Sequence, residues 1–225
     1  MKQQDNMPHY VTDMVFPERE GGYAKGNETR ELILRTALSI LIEEGYRAMS
    51  MRRVAAACDM KFGNLTYHYR SREDLVRELM EAVIRSYELE FVSIMHMPGV
   101  PAEERLRRVC TLVLDDIRSK KTTHFFPELW ALSNHDAFVL ERVQDLYVRA
   151  RAPLLEIVTE MRPDLSESER EMVALFISAS MEGMTIFAGH EKPFEKRMPE
   201  IEHLAVLSFC NLVKTLKPGE LAQRP

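Results

Sequence analysis

The stretch from Met51 to Leu75, MRRVAAACDMKFGNLTYHYRSREDL, leaves this chain few choices of fold. Ser50 is placed to cap a short helix over Met51 to Cys58, whose inner side carries Val54, Ala55 and Cys58. The alanines permit close approach of another helix. Asp59 follows where the chain must turn, and aspartate tolerates unusual turn dihedrals better than most non-glycine residues. A further short helix is predicted from Phe62 to about Tyr67, with Phe62 and Leu65 turned inward. Ser71, followed by Glu73 and Asp74, opens a longer helix running towards Phe91. Two helices this short need neighbours, and Leu38, Ile42, Val54, Ala55, Leu65 and Leu75 are the apolar residues placed to supply them.

The rest of the pattern is helical too. NETRELILRTALSILIEEG repeats apolar residues at three- and four-residue spacing, with Asn27 or Thr29 as the expected cap and Gly45 as the stop. Beyond Pro101 come a helix, a short aromatic helix or turn-helix pair in THFFPELWALS, and a long stretch from Asp136 to about Met161, where Pro153 predicts a kink or a division. Ser166 and Glu169 have capping-box spacing. No convincing alternating strand pattern occurs, so the expected fold class is all-α.

Charge narrows the function. The whole chain of 225 residues carries a formal charge of -5, which excludes a generally basic nucleic-acid coat. Between Tyr46 and Arg77, however, Arg47, Arg52, Arg53, Lys61, Arg70, Arg72 and Arg77 meet only Asp59, Glu73 and Asp74. A local basic face on an acidic protein points to a polyanion. The segment from Ser50 to Tyr67 therefore reads as a helix-turn-helix whose second helix enters a DNA major groove, which admits one helix. Lys61, Asn64, Thr66 and Tyr67 lie on or near its leading and exposed sides. Asn64 suits adenine, Lys61 suits guanine or phosphate, and Thr66 offers a hydroxyl and a methyl group. Ser50, Arg52, His68 and Arg72 suit phosphate contacts that set position rather than read sequence. Taken singly, each basic residue is more often an ordinary solvated side chain, and His68 a structural histidine.

The run from Thr29 to Leu79 resembles the amino-terminal domain of the TetR family of bacterial transcription regulators. The resemblance rests on the Gly45–Tyr46 pair, on Ser50 opening the second helix, on Leu65, Thr66, Tyr67, His68 and Tyr69 closing the recognition element, and on Ser71, Arg72, Glu73, Asp74 and Leu75 after it. It implies phosphate contacts at Ser50, His68 and Arg72, and base or nearby backbone contacts at Lys61, Asn64 and Thr66. Two positions depart from the pattern: Asp59 stands at the usual turn glycine, and Thr66 at the usual tyrosine. The resemblance further implies a homodimer on a partly palindromic double-stranded operator, acting most often as a repressor released by a small-molecule effector. The expected domains are a flexible N-terminal arm (1–26), a three-helix DNA-binding domain (27–73), a larger helical effector-binding and dimerisation domain (74–217) and a C-terminal tail (218–225).

Two further expectations come from the C-terminal half. In the helix from Glu169 to Gly189, Met172, Leu175, Phe176, Ala179, Gly183, Ile186 and Phe187 form one apolar stripe, and Val173, Ile177, Met181, Met184 and Ala188 a second. A helix apolar on two sides needs partners on both. Together with a last helix within about 200–217, it forms either an interface with a second copy or an internal bundle; the resemblance favours the interface. Phe125, Phe126, Trp130, Tyr147, Met181, Met184 and Phe187 are candidate effector contacts, with His124, His135 and His190 as polar additions; the plainer reading of each is core packing.

Cys58, Cys110 and Cys210 have neither disulfide nor metal spacing. No secretion signal or membrane span is expected, and the unpaired cysteines fit a reducing cytoplasm, the expected location. Neither cofactor nor metal is expected. Without a phosphate loop or a nucleophile elbow, an enzyme is the weaker alternative, alongside a helical ligand-binding or interaction protein that does not bind DNA specifically.

Overall fold

A computed structural model describes residues 14–16 and 24–222. Among these residues the regular structure is helical and no strand occurs: α1 (Ala24–Glu44), α2 (Met51–Ala57), α3 (Phe62–His68), α4 (Arg72–Met95), α5 (Ala102–Ile117), α6 (Lys120–Ser133), α7 (Ala137–Met161), α8 (Glu167–Ala188) and α9 (Met198–Thr215). The all-α expectation holds.

The chain divides into two compact units. One takes the described residues up to Glu88 together with His124–Leu146; the other takes Leu89–Thr123 and the described residues from Tyr147 on. Helices α4, α6 and α7 each contribute residues to both, so a boundary drawn at 73 and 74 does not coincide with a division in packing.

In the first unit, α1 buries Ile33, Leu34, Ala37, Leu38 and Leu41, and α4 buries Leu75, Val76, Leu79 and Val83. Each fully buried aliphatic side chain is worth roughly 1.5–3 kcal/mol, the main support for the two seven-residue helices α2 and α3. Those contribute Val54, Ala55 and Leu65 to the same core. Arg30 of α1 and Glu78 of α4 form an ion pair with little solvent exposure. Helix α1 begins three residues before Asn27, whose Oδ1 accepts from the Arg30 guanidinium at 3.4 Å instead of capping. Residues 24–26 are thus helical rather than part of an arm, and Met14 is buried. Phe16 lies under the Arg35 guanidinium at 4.8 Å. Tyr10, Val11, Lys2 and Arg19 lie outside the described residues.

In the second unit α5 packs on α8 and α9. Leu106, Val109, Cys110, Leu114 and Ile117 meet a core that includes Val173, Ile177, Met181, Val206, Phe209 and Val213. Cross-links at its edges join Thr111 to Glu202 at 2.8 Å, Glu103 to Lys214 at 2.7 Å and Arg105 to Glu160 at 2.5 Å. All three cysteines are free and buried, and burial pushes the Cys110 thiol up to about 12. Helix α8 opens with the expected capping box: the Ser166 hydroxyl accepts from the Glu169 N–H, and the Glu169 carboxylate accepts from the Ser166 N–H at 2.9 Å. The tail is tethered at its start, where the Gly219 N–H donates to Glu169 at 2.6 Å. At the other end of α8, Gly189 passes so close to Thr123 that a Cβ would lie 2.5 Å from its Oγ1.

Pro153 does not divide α7, which runs unbroken from Ala137 to Met161. A proline inside a helix costs about 3 kcal/mol, and burial of Leu154, Ile157 and Val158 beside it exceeds that. Helix α6 likewise continues through Pro127. Helix α8 is long and apolar enough to cross a membrane by composition alone. Its two stripes, however, differ. Val173, Ile177, Met181 and Ala188 are buried, whereas Met172, Leu175, Phe176, Ile186 and Phe187 are exposed, as are Leu204 and Leu207 on α9.

Candidate nucleic-acid interface

Helices α2 and α3 are joined by a tight turn at Asp59, which adopts φ 53. The left-handed conformation is therefore present although a side chain occupies the place where glycine is easiest. The Met60 N–H donates to the Ala55 carbonyl at 3.0 Å and the Asp59 N–H to Ala56 at 3.1 Å, closing the end of α2. Helix α2 starts as expected: the Ser50 hydroxyl accepts from the Arg53 N–H at 3.2 Å. The Arg53 side chain is held by Glu44, 2.6 Å away. Arg52 is exposed, and its guanidinium stands 5.9 Å from the Phe62 ring centroid, over the first residue of α3.

Leu65 anchors α3 with no exposure at all, while Lys61, Asn64 and Tyr67 turn to solvent. Lys61 sits at the N-cap and is exposed, as is Asn64. Tyr67 is 85% exposed, its ring edge-to-face with His68 at 5.3 Å. Phe62 departs from the expected inward position: it is 47% exposed beneath Arg52. Thr66 is half-buried, and its hydroxyl donates to the Gly63 carbonyl at 3.1 Å, within its own helix. His68 is half-buried, and Tyr69, just after α3, is buried.

Arg72 at the start of α4 is half-buried and specifically held. Its guanidinium stacks over the Tyr46 ring, 3.9 Å from the centroid, and donates to the Tyr46 carbonyl. Burial pushes the Tyr46 phenol up, with Arg72 acting in the opposite direction. Sequence reasoning identified Tyr46 only as half of a Gly-aromatic pair; its grip on Arg72 belongs to the folded unit.

The effector candidates fall in different units. Phe125 and Phe126 are buried, edge-to-face at 5.2 Å, and Trp130 is half-buried in the same unit. In the other unit Met181 is buried and Tyr147 and Met184 are half-buried. Phe187 instead lies on the exposed face of α8. His124 is committed to the first unit, its Nδ1 2.9 Å from the Ile42 carbonyl. An open groove of about 1060 Å3 in the second unit is lined by other residues, among them Ile94, Met97, Arg107, Thr111, Glu202 and Val206. Among the described residues no His, Cys, Asp and Glu cluster could hold a metal ion.

Residues 33–79 match the profile of bacterial regulatory proteins of the tetR family, and residues 102–205 match the C-terminal domain of BetI-type transcriptional repressors. An HTH-type transcriptional regulator from the dhlA 5′ region of Xanthobacter autotrophicus is 30% identical over 173 residues, 74% of this chain and 80% of that protein. This chain belongs to the TetR family. Crystal structures of relatives carry the same fold. A transcriptional regulator from Saccharomonospora viridis in complex with choline superposes with TM-score 0.65 at 16% identity, over 84% of this chain and 97% of that one. A TetR transcription regulator from Haloarcula marismortui gives TM-score 0.66 at 13% identity, over 84% and 98%. This TetR-family member is accordingly a DNA-binding transcription regulator, and effector-released repression is the usual mode of its family.

Proposed function

We propose that this TetR-family regulator binds a partly palindromic operator as a homodimer in the cytoplasm and represses from it, with α3 of each copy in successive major grooves. The polar flank of α3 carries the reading: Lys61, Asn64 and Tyr67 are exposed while Leu65 on the opposite side is fully buried. Lys61 and Asn64 take base edges, assisted by Thr66 and Tyr67. Ser50, Arg52, His68 and Arg72 take phosphates and set the register. The reading unit corresponds to residues 27–73, supported on α4.

The second copy is met through the exposed faces of α8 and α9. Phe176, Ile186 and Phe187 with Leu204 and Leu207 leave apolar surface of the kind that soluble proteins cover with a partner. A small-molecule effector binds the helical body and releases DNA. It must therefore have different affinities for the DNA-binding arrangement and the released one. Phe125, Phe126 and Trp130 in the first unit, and Tyr147, Met181 and Met184 in the second, are two separate candidate linings, and either one favours a ligand with an apolar or aromatic-compatible surface. Choline, bound by the Saccharomonospora viridis protein, is the first compound to test, since a quaternary ammonium is held by aromatic faces.

The test is selection of duplexes from a random pool by the full-length protein. An inverted repeat is expected. Lys61→Ala is expected to relax preference at one base position, a change of about 1–3 kcal/mol in discrimination. Arg72→Ala is expected to weaken all duplexes alike and to flatten the salt dependence. Failure of the parent protein to enrich any duplex would remove the proposal.

A further inference from the structure

The last turn of α1 is completed from a helix far along the chain. Gly45 adopts φ +83, and its N–H donates back to the Leu41 carbonyl at 3.0 Å, which ends the helix. That closure leaves the Ile42 carbonyl and the next N–H, that of Tyr46, without partners from the helix itself. Both find them on α6. The Nδ1 of His124 lies 2.9 Å from the Ile42 carbonyl, and because a carbonyl only accepts, Nδ1 carries the proton. One turn further along α6, the Glu128 carboxylate accepts from the Tyr46 N–H at 3.1 Å and lies 3.5 Å from where a Gly45 Cβ would be. An ionised acceptor on a backbone N–H makes one of the stronger hydrogen bonds.

The corner held in this way faces the interface in two directions. The Tyr46 carbonyl accepts from the Met49 N–H at 3.2 Å, fixing the short turn that delivers Ser50 to the start of α2. The same carbonyl accepts from Arg72, and the Tyr46 ring lies under that guanidinium. One backbone unit thus orients two of the residues assigned to phosphate. Freed from it, Arg72 would regain the rotamer freedom of a long side chain, and each contact would have to be ordered at the moment of binding.

We propose that Glu128 and His124 of α6 are positioning residues for operator binding: they clamp the Gly45–Tyr46 corner, and through Tyr46 they preorganise Ser50 and Arg72. This inference rests on the DNA-binding reading above, but it concerns residues that touch no DNA.

The experiment uses full-length protein and an operator duplex selected by the parent. Glu128→Ala is expected to weaken operator binding about tenfold. Glu128→Gln, whose amide oxygen still accepts, is expected to remain within about threefold of the parent. Hydrogen exchange of the Tyr46 amide is expected to be fast in Glu128→Ala and protected in Glu128→Gln. The losses from Glu128→Ala and Arg72→Ala are expected not to multiply in the double variant, because both act through one corner.

Parent-like affinity of Glu128→Ala would overturn the proposal. So would an equally damaged Glu128→Gln with a protected Tyr46 amide, or fully multiplicative losses. Should Glu128→Ala not fold, His124→Ala and Glu128→Gln, read by affinity and by Tyr46 exchange, decide in its place: slowed or unchanged exchange in His124→Ala with parent-like affinity overturns the clamp. If the parent selects no duplex, it is the DNA-binding reading that fails, and the exchange measurements still report on the clamp.

Discussion

Glu182 shows how one residue in the helical body can carry a measurable pH dependence. It lies on α8 at the margin between the buried and exposed stripes, and burial pushes its carboxyl up to about 7, against a hydrogen bond with Tyr147 that acts the other way. The charged form is therefore disfavoured in the folded protein and not in the unfolded one. Above about pH 7 the folded chain carries this penalty in full. The penalty shrinks as pH falls towards the ordinary glutamate range near 4.5, where both states are protonated. Glu182→Gln is expected to stabilise the protein by up to about 3 kcal/mol at pH 8 and to have little effect at pH 4.5. Paired denaturant titrations of parent and variant at the two pH values measure it. Comparing the pair matters, because Glu103, Asp164 and Glu169 are held below the usual carboxylate range by hydrogen bonds and lose stability on acidification in both proteins. The interface residues contrast with Glu182. Lys61, Asn64 and Tyr67 are exposed around Leu65, and that could be anticipated from helical spacing. Phe62 could not, because an aromatic residue at the first position of a seven-residue helix has too little helix before it to define a face.

Elements with strong local signals formed where the sequence placed them. Ser50 and Ser166 both cap, Gly45 stops α1, and Asp59 turns. Ser166→Ala removes the side-chain acceptor and leaves the Glu169 N–H without it, at an expected loss of about 1 kcal/mol. Thermal melting of the full chain would show a modest fall in midpoint, with operator affinity unchanged per folded molecule. Signals of a more permissive kind were overridden. Pro153 and Pro127 sit inside continuous helices, because their neighbours' burial outweighs a missing donor. Asn27 is a good cap by type, yet α1 passes it and places its side chain on Arg30 instead. Local chemistry decides an element's end when nothing competes; packing decides when something does.

At the scale of the whole molecule, the unpartnered face of α8 and α9 carries the expectation of a second copy. Phe176 is 56% exposed in the single chain, so changing it leaves the core intact. Phe176→Glu together with Leu207→Glu is expected to give a folded monomer by light scattering, with unchanged helix content by circular dichroism. Operator affinity is expected to fall by about two orders of magnitude or more, as linked binding of two half-sites is lost. A dimer that survived both substitutions would place the interface elsewhere. The division of packing is also a whole-molecule property. Helices α4, α6 and α7 each supply both units, and no local pattern marks the residue at which a continuous helix changes the core it serves.

By itself the amino-acid sequence determined the helical class, the turn at Asp59, the caps at Ser50 and Ser166, the polar flank of α3 and the family. All of these are written in residues a few positions apart, where spacing and side-chain type set the physics. The tertiary structure alone decided that Arg72 is held on Tyr46 and that Glu128, 82 residues along the chain, holds Tyr46 in turn. It also decided which of the two apolar stripes on α8 remains uncovered. A hydrogen bond between distant segments leaves no period or motif in either, since each residue's local role can be played by many others; only folding brings the donor to its acceptor.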